Sequence, residues 1–196
     1  MKKILVTQRV VVLPERDERR DTLDQNMVKF LSLLKGIVLP VPNCLIATEQ
    51  LDTWLMSINA DAIILSGGDD LGKTPERDKT EFHLLSYAKE YNTPVLGICR
   101  GMQMMAAYEG VGVKRVAGHA QTVHSLNGEI RREVNSYHDF SIECCPETYR
   151  CIAYSEDSQI EAIKHKRRPW EGWMWHPERS KTFSISDLER LQALIE

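Results

Sequence analysis

The chain lacks any apolar run approaching the ~20 residues that a membrane-crossing helix needs, so no membrane partner is expected. Met1-Lys2-Lys3 carries the charge of a secretory leader, but the apolar stretch behind it, Ile4-Leu5-Val6, is too short for one. A basic excess is also missing. Lys and Arg total 25 against 28 Asp and Glu, a formal net charge of -3, which argues against a nucleic-acid binder. The five cysteines, Cys44, Cys99, Cys144, Cys145 and Cys151, are odd in number and show neither CxxC nor paired zinc spacing. They fit a reducing, cytoplasmic setting, as buried filler or as a reagent. Neither GxxxxGK[ST] nor GxGxxG occurs, so no phosphate loop is expected. Internal repeats, low-complexity tracts and linkers are absent too, and residues 1–196 read as one domain. What remains is an ordinary globular composition, 42% hydrophobic and 27% charged, in a chain of 196 residues that can build a full core.

Short β-branched runs alternate with amphipathic stretches through the first half. Ile4-Leu5-Val6, Ile37 to Val41, Ala62 to Leu65 and Pro94 to Ile98 read as strands. The last two have no polar face, as strands covered on both sides should. Pro14 to Arg20 reads as a charged connection, after which Asp21 is placed to cap a helix carrying Leu23, Met27, Phe30, Leu31 and Leu34. Gly36 ends that helix. Further helices are expected over residues 48–58 and 75–90, the latter burying Phe82, Leu84, Leu85 and Ala88, and another directly after Cys99. Residues 111–168 form an irregular, β-containing insert. Gly172 to Trp175 resumes as a strand, and Ser186-Asp187-Leu188-Glu189 fits a capping box for the final helix. The pattern predicts an α/β fold: a doubly wound, mostly parallel sheet flanked by helices, with a small irregular insert.

Three segments carry chemistry. Gly97-Ile98-Cys99-Arg100-Gly101 joins an apolar strand to a helix. A nucleophile in such a turn has a strained backbone and an exposed side chain, with a helix N-terminus behind it to favour a thiolate. The backbone N–H of Arg100 is then one oxyanion donor. Cysteines are more often buried and inert, but the glycine frame between strand and helix favours the nucleophile. Trp175-His176-Pro177-Glu178 supplies a base and an orienting carboxylate, two residues apart and on one side of an extended segment, with Pro177 discouraging a helix. Ser66-Gly67-Gly68 follows a buried strand where the crevice of a doubly wound sheet opens, and Gly68 is the second oxyanion donor. Trp170, Trp173 and Trp175 read as core. His119 and His124 have no acid or thiol spaced with them, so no metal is assigned.

Gly-Gly loop, elbow and His-Pro-Glu segment, in this order, resemble the class I glutamine amidotransferase-like superfamily, over the chain from Ile4 to the final helix. The resemblance implies that Cys99 attacks a γ-glutamyl carbonyl, His176 shuttles the proton and Glu178 orients His176, with no cofactor. Arg77-Asp78-x-x-Glu81, Arg100 in place of the usual leucine, Gly118-His119 with His124, Val134-Asn135-Ser136-Tyr137-His138 and Ile160-Glu161-Ala162-Ile163 are similar to the free-standing γ-glutamyl hydrolases of that superfamily, relatives of γ-glutamyl-γ-aminobutyrate hydrolase. The likeness implies that Gln103, Asn135, Ser136, Tyr137 and His138 hold the glutamyl head group. Asp139 departs from that branch, where a second histidine or an asparagine is common.

The start Val6-Thr7-Gln8-Arg9 and the stretch Glu18 to Asp24 are similar to a small bacterial type that releases glutamate and cytidine diphosphoramidate from γ-glutamyl-CDP-amidate. A diphosphate leaving group would suit Arg9, Arg19 and Arg20, since guanidinium pairs bidentately with phosphate oxygens. Equally, Glu15, Asp17 and Glu18 interleave with Arg16, Arg19 and Arg20, as in a solvated loop. The expected partner is thus a small γ-glutamyl substrate, nucleotide-linked on the narrower reading, with no obligatory synthase subunit. The alternatives are a hydrolase of another γ-glutamyl amide, the glutaminase subunit of a two-protein amidotransferase, and a non-catalytic binding or redox-sensing protein. The last of these should have lost His176 or Glu178, yet both are present.

Overall fold

The computed structural model describes residues 1–196. Strand β1 (Lys3–Thr7) leads into a hairpin of β2 (Arg9–Leu13) and β3 (Glu18–Thr22), then α1 (Gln25–Ser32), β4 (Ile37–Val41), α2 (Leu51–Ile58), β5 (Ala62–Leu65), α3 (Pro75–Tyr91), β6 (Val95–Ile98) and α4 (Arg100–Tyr108). The later half contributes β7 (Val113–Arg115), β8 (Ala120–Ser125), β9 (Asn127–Gly128), β10 (Glu133–Tyr137), β11 (Phe140–Ile142), β12 (Tyr149–Tyr154), β13 (Ile160–His165), β14 (Trp170–Trp173) and α5 (Ile185–Ile195). Eight strands make one sheet in the order β4-β1-β5-β6-β14-β13-β12-β9. The first five are mutually parallel, and β13, β12 and β9 extend the sheet antiparallel. This is the large, mostly parallel sheet flanked by helices that the strand–helix alternation predicts.

The centre of the parallel part is covered on both faces: β5, β6 and β14 are buried along their full lengths, and β5 and β6 are apolar throughout. Chain order reverses at β1, which lies between β4 and β5. The crevice of a doubly wound sheet opens at the carboxyl ends of strands beside such a switch point. The segments after β1, β5, β6 and β14 are Gln8-Arg9, Ser66-Gly67-Gly68, Cys99 and Met174 to Glu178, so strand direction alone gathers the three chemical segments at one edge.

Several local expectations need correction. Pro14 to Arg20 is no simple connection. β2 and β3 pair from Arg9↔Thr22 to Leu13↔Glu18 around a 3-10 turn at Pro14–Arg16. The ribbon lies outside the main sheet, so Val11 and Val12 stay exposed and its partner strand is charged, which hides the hydrophobic alternation. Asp24, not Asp21, caps α1 by accepting from Asn26 N–H at 2.9 Å. Asp21 instead holds Asn43 through its backbone N–H and its side-chain amide, each at 2.8 Å. Helix α2 starts at Leu51 rather than near residue 48. Phe82 faces solvent against the Tyr108 ring, and α3 buries Arg77, Thr80 and Glu81 in its place. Ser184 rather than Ser186 caps α5. The final strand, β14, covers Trp170–Trp173 and ends before Met174.

Candidate active site

Cys99 is the residue between β6 and α4, with φ 51° and ψ -104°. A non-glycine residue held there costs about 1–3 kcal/mol, and the surroundings enforce it. The Cys99 N–H donates to Trp173 O at 2.6 Å, and its carbonyl accepts from Gln103 N–H at 3.2 Å. The two flanking glycines are steric requirements. A Cβ on Gly101 would strike the Leu65 carbonyl, and one on Gly97 would lie 2.6 Å from the backbone of Gly101. Helix α4 therefore presses directly on β5 and β6, which aims its N-terminus at the crevice. Arg100, in the first turn of α4, has a backbone N–H with no partner inside the helix.

Under the elbow lies a buried charge ladder that the apolar pattern of α3 does not reveal. The Arg77 guanidinium donates to Glu81 at 2.9 Å, to Ser66 O at 2.7 Å and to Gly67 O at 3.1 Å. Arg100 pairs with both Glu81 and Asp78. Burial alone would push the Glu81 carboxyl up, but Arg77 and Arg100 hold it below the usual carboxylate range. The ladder clamps the Gly-Gly loop to the elbow, and losing one member of such a pair typically costs about 3–5 kcal/mol.

His176 is 1% exposed and fixed on every side. Its Nδ1 lies 2.6 Å from Glu178 Oε1. Its backbone N–H donates to Asn135 Oδ1 and its carbonyl accepts from Asn135 Nδ2, both at 2.8 Å. The Tyr137 ring stands edge-on to the imidazole at 5.7 Å. Burial alone would push the imidazole pKa down, but hydrogen bonds with Cys99 and Glu178 and their negative charge outweigh it, raising the value to about 9. The local geometry differs from the extended segment expected: Pro177–Arg179 is a 3-10 turn with Pro177 in its first position, where proline is tolerated, and the turn swings Glu178 back to the ring. Gly67 lies so close to the ring that a Cβ there would collide with His176 Cε1. Gly68, at φ 148°, adopts a conformation that side-chain-bearing residues rarely take.

The remaining expected contacts separate into two groups. Asn135 spends both ends of its amide on the His176 backbone. Ser136 is buried and donates to His119 O at 2.5 Å. His138 is buried within a histidine cluster, and its Nδ1 lies 3.1 Å from Phe140 O. Gln103 donates to Phe140 O at 2.8 Å and keeps its carbonyl oxygen uncommitted. Tyr137 alone of the Asn-Ser-Tyr-His segment is exposed, with Arg179 over its ring at 4.7 Å. Among the arginines, Arg19 pairs with Glu76 and Arg20 with Glu18. Arg9 has no ionic partner, and its side chain borders Gly68, where an added Cβ would lie 2.9 Å from Arg9 Cγ. Trp170, Trp173 and Trp175 are all at most 2% exposed, which makes them core and leaves no face for a nucleobase. The five cysteines are unbridged. A cavity of about 640 Å3 lies near the opposite end of β14, bounded by Lys89, His165, Arg168 and Trp170, and is lined by no cysteine.

The chain matches the family model described as glutamine amidotransferase class-I over residues 21–190. It belongs to that family. Among curated proteins it is 31% identical over 182 residues to gamma-glutamyl-CDP-amidate hydrolase of Campylobacter jejuni subsp. jejuni, covering 89% of this chain and 88% of that one. It is 35% identical over 165 residues to a glutamine-hydrolyzing GMP synthase subunit of Methanocaldococcus jannaschii, covering 79% and 80% of the two chains. A solved structure from Thermoplasma acidophilum, described as a GMP synthase subunit, superposes with a TM-score of 0.73 at 20% identity, over 100% of this chain and 92% of that one. A glutamine amidotransferase of Thermotoga maritima gives a TM-score of 0.64 at 17% identity, over 90% and 76%. These two likenesses carry the fold. No helix is long and apolar enough to cross a membrane.

Proposed function

We propose that the protein is a cysteine-dependent γ-glutamyl hydrolase with Cys99, His176 and Glu178 as its triad, acting on γ-glutamyl-CDP-amidate. The observation that carries this reading is the strained Cys99 turn set against an imidazole that is itself bound to a buried carboxylate. The Cys99 thiolate attacks the γ-carbonyl carbon, and the carbonyl π pair moves onto oxygen, where the N–H groups of Gly68 and Arg100 receive it. The C–N bond then breaks as the imidazolium of His176 gives its proton to the leaving nitrogen. The product is a γ-glutamyl thioester. Water attacks that thioester as neutral His176 takes its proton, and the C–S bond breaks to release glutamate and restore the thiolate. Glu178 holds the imidazole orientation through both steps. The head group is met by Tyr137 and the free carbonyl oxygen of Gln103. Asn135 acts through His176 as a positioning residue.

The nucleotide-linked substrate is favoured by two facts. Arg9 stands beside Gly68 without an acidic partner, where a phosphoramidate on the leaving nitrogen would come to lie. The Campylobacter relative that matches most of the chain bears that activity in its name. Arg19 and Arg20, occupied by Glu76 and Glu18, are weaker candidates. The test is a hydrolysis screen of glutamine, γ-glutamyl-γ-aminobutyrate and γ-glutamyl-CDP-amidate, with Arg9→Ala beside the parent chain. The nucleotide substrate is expected to be turned over fastest, and Arg9→Ala to raise its KM about tenfold or more while sparing glutamine. Preferential hydrolysis of glutamine, stimulated by an added synthetase chain, would favour instead the glutaminase-subunit reading suggested by the GMP synthase relatives.

A further inference from the structure

Sequence spacing assigns no metal to the irregular insert, because His119 and His124 have no acid nearby in the chain. The fold supplies one. His119 precedes β8, His124 lies on β8, His138 follows β10, and Glu161 reaches them from β13 of the main sheet. One ligating atom from each of the four lies within 4.8 Å of the others. His119, His138 and Glu161 are buried, and His124 is half-buried. His119 Nδ1, His124 Nε2, His138 Nε2 and both oxygens of Glu161 are buried without any hydrogen-bond partner. Buried polar atoms are almost always satisfied, so five orphans converging on one point require an explanation.

The proton positions narrow it. His138 Nδ1 lies 3.1 Å from Phe140 O, an acceptor only, so Nδ1 carries a hydrogen and, in the neutral ring, Nε2 presents a lone pair. His119 Nε2 lies 2.9 Å from Asp157 Oδ2, a carboxylate, so a proton sits there and, in the neutral ring, Nδ1 presents a lone pair. Both lone pairs face Glu161 Oε1, each at 3.4 Å. Electron pairs meeting a carboxylate repel unless a proton or a metal cation lies among them. Ligands around a tetrahedral ion with bonds of about 2.1 Å are separated by about 3.4 Å, the spacing found on these two edges. Asp157 and the Phe140 carbonyl stand where outer partners of metal-bound imidazoles stand, fixing the tautomer that leaves the inner nitrogen free.

We propose that His119, His124, His138 and Glu161 bind one divalent transition-metal ion per chain, with zinc the best match. Three imidazoles and one carboxylate suit zinc among the first-row ions. Four protein ligands fill its tetrahedron, which gives the site a structural character. The ion would fasten the β8–β10 ribbon to β13. That ribbon carries Asn135, which grips the backbone of His176, so the ion would brace the candidate active site without touching substrate.

The experiment uses the full chain and reads metal rather than turnover. Elemental analysis of the purified protein, chelator stripping and titration with zinc alone should give one equivalent per chain, with Tm rising by about 5–10 °C at saturation. Cobalt in place of zinc should give intense visible bands of tetrahedral geometry without a near-ultraviolet sulfur charge-transfer band. Glu161→Gln and His124→Asn should each abolish the stoichiometric ion and the zinc-dependent shift. His124 is only half-buried, so its variant keeps the test open should Glu161→Gln fail to fold, with circular dichroism as the check. The proposal is overturned if the parent chain takes up no zinc, cobalt, iron or manganese and its Tm ignores zinc and chelator alike, which would leave a protonated histidine cluster. It is equally overturned if His124→Asn binds zinc as well as the parent does, or if the cobalt spectrum reports thiolate ligands.

Discussion

Two buried histidine–glutamate groups lie close together in this molecule and are built on opposite principles. At His176 one imidazole meets one carboxylate at 2.6 Å, the backbone is held at both ends by Asn135, and a thiol completes the set. At Glu161 three imidazoles surround one carboxylate and none of them forms a hydrogen bond to it. Yet the backbone carbonyl of Glu161 accepts from Met174 N–H at 2.8 Å, only two residues before His176. A hydrogen-bonded His–Glu pair is suited to moving a proton; a cluster of buried atoms without hydrogen-bond partners is suited to holding a cation. Residue type alone does not distinguish them, and hydrogen-bond accounting does.

The contrast can be broken most severely at the proposed nucleophile. Cys99→Ala should abolish turnover, a loss on the order of 10^4-fold or more, with an unchanged circular dichroism spectrum; appreciable residual activity would remove the triad. Glu178→Gln should slow turnover about 10^2–10^4-fold and lower the imidazole titration of His176 followed by NMR. The pH dependence of stability is the next test. The folded-state pKa of His176, about 9, is above its ordinary value of 6.5. Its contribution, on the order of 3 kcal/mol, is therefore complete below pH ~6.5 and lost as the pH rises through 9. Urea unfolding at pH 6, 8 and 10 should show this decline, and His176→Asn should flatten it. The smallest effect is expected from Asn135→Ala, which removes two hydrogen bonds from the His176 backbone and should lower kcat about 10–100-fold with KM nearly unchanged. A rise in KM alone would return Asn135 to the head-group role.

What can be read from residue order alone follows the same division. Cys99, His176 and Gly68 sit at ends of short apolar strands, where local pattern and strand direction suffice to place them. The buried face of α3 escapes an amphipathic reading because Arg77 and Glu81 occupy positions that such a reading assigns to apolar residues. The β2–β3 ribbon is hidden because a two-stranded, solvent-facing hairpin need not alternate in polarity. Asn135 belongs to an expected polar segment, but only three-dimensional placement reveals that it serves the histidine. Glu161 is unreadable as a partner of His119 and His124, since β13 meets them only after the sheet has formed. Among the three arginines, the distinction between Arg9 and the pair Arg19 and Arg20 depends on where Glu76 and Glu18 lie in space.

Gly67 constrains how this chain can vary. Its bare Cα is the surface against which the His176 ring rests, so even one added methyl group would displace the imidazole. In a saturation library selected for activity, the codon at 67 should tolerate fewer replacements than those of the hydrophobic core, where a methylene can be lost at the expense of stability alone. A position with no side chain thereby sets a tighter tolerance than the packed side chains around it.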